Sequence, residues 1–216
     1  MTKKEEWLAG TRSAVPIMLG YVPVGIAYGV MARQAGLNTW QTVLMSLTVY
    51  GGASEMMAAG MVAQGAAVLT IVLTTFILNL RHIIMSTCVF NQMQGGRLPV
   101  RMLAAFGVTD ETFAVYTTTA NAPRTPRYFF SMALCSYLSW ALGSWLGAIA
   151  TGLLPPLITA ALGISLYAMF IGLLMPGLHG NGRLAALVVL TALCNTVLCN
   201  VVQLDSGWSM ILSTLR

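Results

Sequence analysis

The chain has 216 residues, of which 57% are hydrophobic and only 8% are charged, and its net charge is +5. Soluble domains carry about 25% charged residues, so this composition excludes an ordinary soluble protein and predicts an all-helical polytopic membrane protein. The positive charge does not indicate a nucleic-acid partner, because the basic residues lie between apolar segments, where cytoplasmic loops carry them.

The composition predicts one membrane domain with two short ends. We expect residues 1–12 to form a cytoplasmic N-terminal segment, residues 13–204 a single transmembrane transport domain, and residues 205–216 a short C-terminal tail. The first apolar stretch, residues 13–32, contains two prolines that remove helical hydrogen bonds and predict a bend. Gly25 and Gly29 place small residues on one face of it, which predicts close contact with another helix.

The second apolar stretch, residues 40–63, is interrupted at Gly51 and Gly52. A double glycine ahead of Ser54 and Glu55 predicts a helix break followed by a new helix start. Glu55 then has two interpretations. It is either a carboxylate that binds an amine or a proton, or a group that stabilises the start of the helix.

The third stretch, residues 66–90, is long and apolar, and we expect a continuous helix that carries Asn79, Arg81 and His82. Neighbouring residues do not share a helix face, so at most one of Arg81 and His82 should face a central cavity. A guanidinium group binds a substrate carboxylate with two parallel hydrogen bonds, but it pairs equally well with an acid of the fourth stretch. Asn79 is a hydrogen-bonding candidate for either role.

The fourth stretch, residues 102–119, is short for a full crossing and contains Thr109, Asp110 and Glu111. A threonine followed by an acid before an apolar run is typical of a helix N-cap. The two acids also create a negatively charged helix start inside the membrane, which needs a cation, a proton or an arginine nearby.

The basic loops constrain the topology. Further apolar spans are predicted at residues 128–153, 157–175 and 184–202. The loops that carry Arg97, Arg124 and Arg183 favour the cytoplasm, as does the N-terminus. All of them lie on that side if the second and fourth stretches each enter and leave on one side. We therefore predict about five full transmembrane helices plus two broken or re-entrant helical segments, with seven full crossings as the alternative.

Ionisable groups inside a membrane indicate function, because each costs about 2.5–3.5 kcal/mol to insert. Broken helices in transporters also place substrate sites at membrane depth. The candidate residues for substrate binding or coupling are therefore Gly51, Gly52, Ser54, Glu55, Asn79, Arg81, His82, Asp110 and Glu111.

Our hypothesis is a central site for a zwitterionic amino acid. Arg81 or the helix start after the double glycine meets the carboxylate, and Glu55 or Asp110 meets the ammonium or carries a coupling proton. The apolar side chain of the substrate is expected to contact Met56, Met57 and Phe113.

The chain has no recognisable catalytic, nucleotide-binding or metal-binding motif. We expect a protein that is not an enzyme and needs no cofactor or metal, with transport that is secondary or driven by a separate subunit. A membrane scaffold or assembly subunit, whose buried charges only pair with each other, is the main alternative. A transporter of another small polar or cationic substrate is a further alternative, and an intramembrane enzyme is a distant one.

In these motifs the chain resembles the AzlC family, the large subunit of branched-chain amino acid exporters. The resemblance covers residues 15–202 and is carried by GYVPVG (20–25), YGGASE (50–55), NLRH (79–82) and TDE (109–111). It implies a multi-pass transporter of the bacterial inner membrane that exports leucine, isoleucine and valine, with a small hydrophobic partner subunit of the AzlD type. The family usually has glutamine at the position of Glu55, so the acid there implies an added proton site or a more cationic substrate.

Overall fold

The computed structural model describes residues 2–153, residues 182–200 and single positions between these two ranges. In this part of the chain all regular structure is helical, and no strand occurs. The helices are α1 (Lys3–Gln34), α2 (Thr39–Thr48), α3 (Gly52–Ala63), α4 (Val68–Asn79), α5 (Arg81–Gln92), α6 (Leu98–Phe106), α7 (Asp110–Thr118), α8 (Pro126–Ala150) and α9 (Gly182–Asn200).

The predicted all-helical membrane fold is confirmed. Three helical segments of the described residues are long and apolar enough to cross a membrane, namely Lys3–Gln34, Val68–Gln92 and Pro126–Ala150. The predicted span at 184–202 corresponds to α9, whose apolar part, Ala185–Cys194, is shorter. The predicted span at 157–175 lies almost entirely outside the described residues, and the tail at 205–216 lies wholly outside them.

The helix α1 begins earlier than the first apolar stretch. Thr2 and Glu5 form a reciprocal capping box, in which each side chain bonds the backbone N–H of the other residue. The helix therefore starts at Lys3 and includes most of the charged N-terminal segment. Pro16 and Pro23 both lie inside it.

A glycine seam joins α1 to α8 at the centre of the molecule. Gly25 and Gly29 of α1 lie against Gly143 and Gly147 of α8, so that the two backbones touch. A Cβ added at Gly25 would lie 3.0 Å from the Trp140 carbonyl oxygen and 3.2 Å from the Gly143 Cα. The predicted small-residue face is thus confirmed, and it makes α1 and α8 the closely packed core of the fold.

Both of these helices begin at the same end of the molecule, where the basic loops also lie. The Ser131 hydroxyl of α8 donates to the Trp7 carbonyl of α1 at 3.0 Å. The loop before α6 meets the loop before α8, because the Gln94 N–H donates to the Arg124 carbonyl at 2.6 Å. The positively charged N-terminus and two basic loops therefore share one end, as the charge pattern predicted.

The fourth stretch returns to the end from which it enters. α6 begins beside the loop that precedes α8, and near the end of α7 the ring of Tyr116 lies 6.2 Å from that of Tyr128 in the first turn of α8. The residues between α6 and α7 lie further inside the molecule, because the Thr109 hydroxyl is 2.7 Å from the hydroxyl of Tyr21 in α1. These contacts support a re-entrant segment over a full crossing.

The predicted breaks in the second and fourth stretches are confirmed, but the third stretch is also broken. α4 ends at Asn79 and α5 begins at Arg81. At the junction the Leu80 N–H bonds the Ile77 carbonyl and the Ile83 N–H bonds the Leu80 carbonyl, so three-residue spacings replace the regular four-residue spacing. The predicted long helical segment is present as Val68–Gln92, but its regular hydrogen bonding is interrupted at Leu80, which we did not expect. Arg81 therefore lies in the first turn after the interruption.

Candidate functional site

A small cavity lies where α3, α5 and α7 begin. Its lining consists of Tyr21, Tyr50, Gly51, Gly52, Ala53, Arg81, His82, Thr109, Asp110, Glu111 and Trp140. The first N–H groups of a helix have no partner within the helix, and they give its start a partial positive charge. Three such starts therefore face one space that also holds acidic and basic side chains.

The cavity is narrow in this conformation. Its volume is about 20 Å³, which is room for about one water molecule. A ligand as large as leucine requires the cavity wall to move. The breaks at residues 49–51, at Leu80 and at residues 107–109 adjoin this wall.

The structure brings most of the predicted site residues together. The six that line the cavity are Gly51, Gly52, Arg81, His82, Asp110 and Glu111. Glu55, Ser54 and Asn79 do not line it. Arg81 and His82 both do, contrary to our expectation, because the break at Leu80 replaces the regular helix on which that expectation was based.

The predicted apolar contacts of the substrate do not line the cavity either. Met56, Met57 and Phe113 are absent from its lining, and aromatic rings of Tyr21, Tyr50 and Trp140 stand there instead. The rings of Tyr21 and Trp140 meet edge to face, with 5.4 Å between their centroids. The apolar part of the cavity is therefore aromatic.

Arg81 and Asp110 form an ion pair across the cavity. The Arg81 Nη2 lies 2.8 Å from the Asp110 Oδ2, and the two side chains are 37% and 26% exposed. The Arg81 Nε is buried and has no hydrogen-bond partner among the described residues. Asp110 thus balances the charge of Arg81 but leaves one of its donors unused. Next to it, the His82 Nδ1 lies 3.1 Å from the Asn79 carbonyl.

Glu111 is the acid of the cavity that has no basic partner. Its side chain is 8% exposed, and the Tyr21 hydroxyl donates to its Oε2 at 2.6 Å. Among the described residues no Lys, Arg or His lies within ion-pair distance of it. Thr109 caps α7 and holds this turn in place through reciprocal bonds with Thr112. Burying an unpaired charge is costly, so this position favours a neutralising proton or a cationic ligand.

Glu55 lies behind the cavity, where its carboxylate is fully buried. Its Oε1 accepts the Gly51 N–H at 2.9 Å, and its Oε2 accepts the Ser46 hydroxyl at 2.9 Å and the Trp140 indole N–H at 3.3 Å. Ser54 also bonds inward, to the Gly51 carbonyl at 2.8 Å. These contacts agree with the interpretation of Glu55 as a group that stabilises the start of α3, because the carboxylate holds the Gly51 N–H. The N–H groups of the first turn of α3 itself have no side-chain cap.

Tyr50, which we did not predict as a site residue, occupies the break between α2 and α3. Its backbone has a φ of 46°, a left-handed conformation that is unusual for a bulky residue. The side chain is 4% exposed, and the hydroxyl has no hydrogen-bond partner among the described residues. The ring contacts Phe106, the last residue of α6, with 6.0 Å between centroids, and Tyr137 of α8 with 4.9 Å.

The sequence held some signal for the residues that we missed. Thr109 was predicted as an N-cap, and Tyr21 and Tyr50 belong to the motifs that carry the family resemblance. Trp140 had no such signal, because α8 is rich in aromatic residues along its length.

Comparison with known proteins finds a family and several relatives. Residues 16–154 match the model of a family described as AzlC protein. An uncharacterized membrane protein of Archaeoglobus fulgidus is 33% identical over 188 residues, which are 86% of this chain and 82% of the relative. The inner membrane protein YgaZ of Escherichia coli is 30% identical over 179 residues, which are 78% of this chain and 72% of that one.

A third relative has a name that states a substrate. The branched-chain amino acid transport protein AzlC of Bacillus subtilis is 27% identical over 157 residues, which are 69% of this chain and 61% of the relative. No solved structure is significantly similar to this chain.

Proposed function

This chain belongs to the AzlC family, and we propose that it is the large subunit of a secondary transporter that exports branched-chain and other hydrophobic amino acids across the bacterial inner membrane. The observation that carries the proposal is the cavity at the three helix starts, where an ion pair, an unpaired acid and unpaired backbone donors lie together.

The cavity has separate groups for the two charges of an amino acid. The start of α3 at Gly52 and the unused donor of Arg81 suit the carboxylate. Glu111 suits the ammonium group, because it is the acid without a basic partner. The aromatic rings of Tyr21 and Trp140 provide apolar surface for the side chain of the substrate. We therefore assign the ammonium to Glu111, and no longer to Glu55 or Asp110.

The same acid provides a way to couple export to protons. A buried carboxylate can be neutralised by a proton or by the ammonium of a substrate, but not by both at once. A proton and the substrate then compete for Glu111. If the proton is released inside the cell and the substrate outside, proton entry drives amino acid exit. The small AzlD-type partner subunit that the resemblance implies belongs to this proposal, and we expect export to need it.

Two observations favour the alternative of a non-transporting scaffold subunit. Arg81 is paired with Asp110, and Glu55 is enclosed by protein donors without access to the cavity. However, two of the seven buried side-chain groups without partners among the described residues, the Arg81 Nε and the Tyr50 hydroxyl, belong to the lining of one cavity. These unused groups favour a cavity that binds a ligand.

Efflux from cells loaded with valine- or leucine-containing dipeptides tests the proposal. We expect export by cells that make this chain with its small partner, and export should increase with an inward proton gradient. The Glu111→Gln variant keeps an oxygen that accepts from Tyr21 but cannot exchange a proton. It should export more slowly, because the ammonium loses its charged partner, and the export that remains should no longer depend on pH.

The Glu55→Gln variant is the matched control, because Glu55 is an equally buried acid outside the cavity. It should retain the pH dependence of the wild type. Export that ignores pH in the wild type would remove the proton role of Glu111. No export of any amino acid, with normal expression of both subunits, would favour the scaffold.

A further inference from the structure

Tyr50 has a buried hydrogen-bonding group that the protein does not use. The residue is 4% exposed and lines the cavity, and its hydroxyl has no partner among the described residues. Native proteins pair most buried polar side-chain atoms, so an unpaired one needs an explanation. Burying such a hydroxyl without a partner is unfavourable.

The backbone at Tyr50 adds a second unfavourable term. A left-handed backbone is normally left to Gly, Asn or Asp, yet here a tyrosine has a φ of 46°. Strained residues of this kind persist where the surrounding structure holds them, and they cluster at ligand sites. The ring is held between Phe106 and Tyr137, which fixes where the hydroxyl lies.

Among the residues that line the cavity, the other unused groups are hydrogen-bond donors, and the unused Asn79 oxygen lies outside the lining. The Arg81 Nε is buried without a partner, and the start of α3, at Gly52, has no side-chain cap. A phenol hydroxyl can also donate. Unused donors in the lining of one cavity indicate a ligand that supplies acceptor oxygens, and a carboxylate does so with two of them.

From these observations we propose that the Tyr50 hydroxyl is a substrate ligand that donates a hydrogen bond to the carboxylate of the transported amino acid. This inference rests on the proposed function and adds to it a residue that selects ligands with a carboxylate. Tyr50 does not bind the side chain of the substrate, so it contributes equally to the binding of leucine, isoleucine and valine.

Ligand binding to the purified full-length protein with its small partner, in lipid nanodiscs, tests the proposal. The probes are radiolabelled leucine and, as a competitor, 3-methylbutylamine, which is leucine without its carboxylate. The Tyr50→Phe variant should raise the Kd for leucine about tenfold or more, as expected when a hydrogen bond to a charged group is removed. It should leave the competition by 3-methylbutylamine within about twofold of the wild type, because that ligand has no group for Tyr50 to bind.

Tyr137→Phe is the matched control. Tyr137 packs against Tyr50, but its hydroxyl is already used, since it donates to the Leu47 carbonyl at 2.8 Å. Its removal should lower the midpoint of unfolding and leave the Kd for leucine unchanged. Tyr50→Phe should weaken the binding of leucine and leave the midpoint of unfolding unchanged, because the Tyr50 hydroxyl has no partner to lose in the unliganded protein.

Three results would overturn the role of Tyr50. They are an unchanged Kd for leucine in Tyr50→Phe, an equal loss for leucine and 3-methylbutylamine, and a weaker Kd accompanied by a lower midpoint of unfolding. If the wild type binds no hydrophobic amino acid, the proposed function itself fails, and the ligand assigned to Tyr50 fails with it. Binding by the wild type together with an unaffected Tyr50→Phe variant rejects the inference alone.

Discussion

Replacing Glu55 by alanine tests whether this buried acid stabilises the fold or acts on the substrate. The carboxylate accepts three donors, from Gly51, Ser46 and Trp140. After the replacement, the Ser46 hydroxyl still reaches the Ser144 hydroxyl at 2.8 Å. The N–H groups of Gly51 and Trp140 lose their acceptor, at about 1–3 kcal/mol each. We therefore expect the free energy of unfolding to fall by about 2–6 kcal/mol.

Unfolding in mixed detergent micelles, followed by tryptophan fluorescence, measures this loss. The Glu55→Gln variant should lose less, because its single oxygen still serves part of the donor set, and its affinity for leucine should equal that of the wild type. An alanine variant that is as stable as the wild type would refute the structural role. A glutamine variant that weakens leucine binding would show that Glu55 reaches the substrate after all.

Two further predictions concern packing and topology. Gly147→Ala should lower stability by about 1–3 kcal/mol, since a Cβ there overlaps the backbone of α1, whereas Gly60→Ala meets no neighbouring atom and should be neutral or slightly stabilising in the same unfolding assay. Cysteines placed at Gln94 and Arg127, in a chain whose native cysteines are replaced, should both react with a membrane-impermeant thiol reagent from the same side of the membrane, and labelling from opposite sides would contradict the re-entrant fourth stretch.

The helix breaks show what local sequence can and cannot reveal. The break at residues 49–51 was predictable from a double glycine, and the one before Asp110 from the N-cap threonine. The break at Leu80 has no glycine, proline or capping residue. Apolar residues precede and follow the polar run at residues 79–82, so the length of the stretch predicts one long helix. The interruption that we did not expect also explains why Arg81 and His82 both line the cavity, contrary to our expectation.

The candidate site was predictable to the extent that its residues are unusual in a membrane. Charged side chains such as Arg81 and Glu111 stand out in an apolar stretch, so the sequence alone indicated them. Glu55 stands out equally, yet it points to a different set of donors, and no local pattern distinguishes the two cases. Tyr21 and Trp140 are common residue types in membrane helices, and their place at the cavity depends on how α1 packs against α8.

The contact between Tyr50 and Phe106 joins two breaks that are distant in the sequence. Tyr50 belongs to the break between α2 and α3, and Phe106 immediately precedes the break between α6 and α7. Because Tyr137 also packs on both rings, a shift of either break displaces the same aromatic cluster. Tyr137 belongs to α8, so the cluster attaches both breaks to the glycine-packed pair of α1 and α8. A movement that widens the cavity at one break therefore displaces a ring that the other break also contacts.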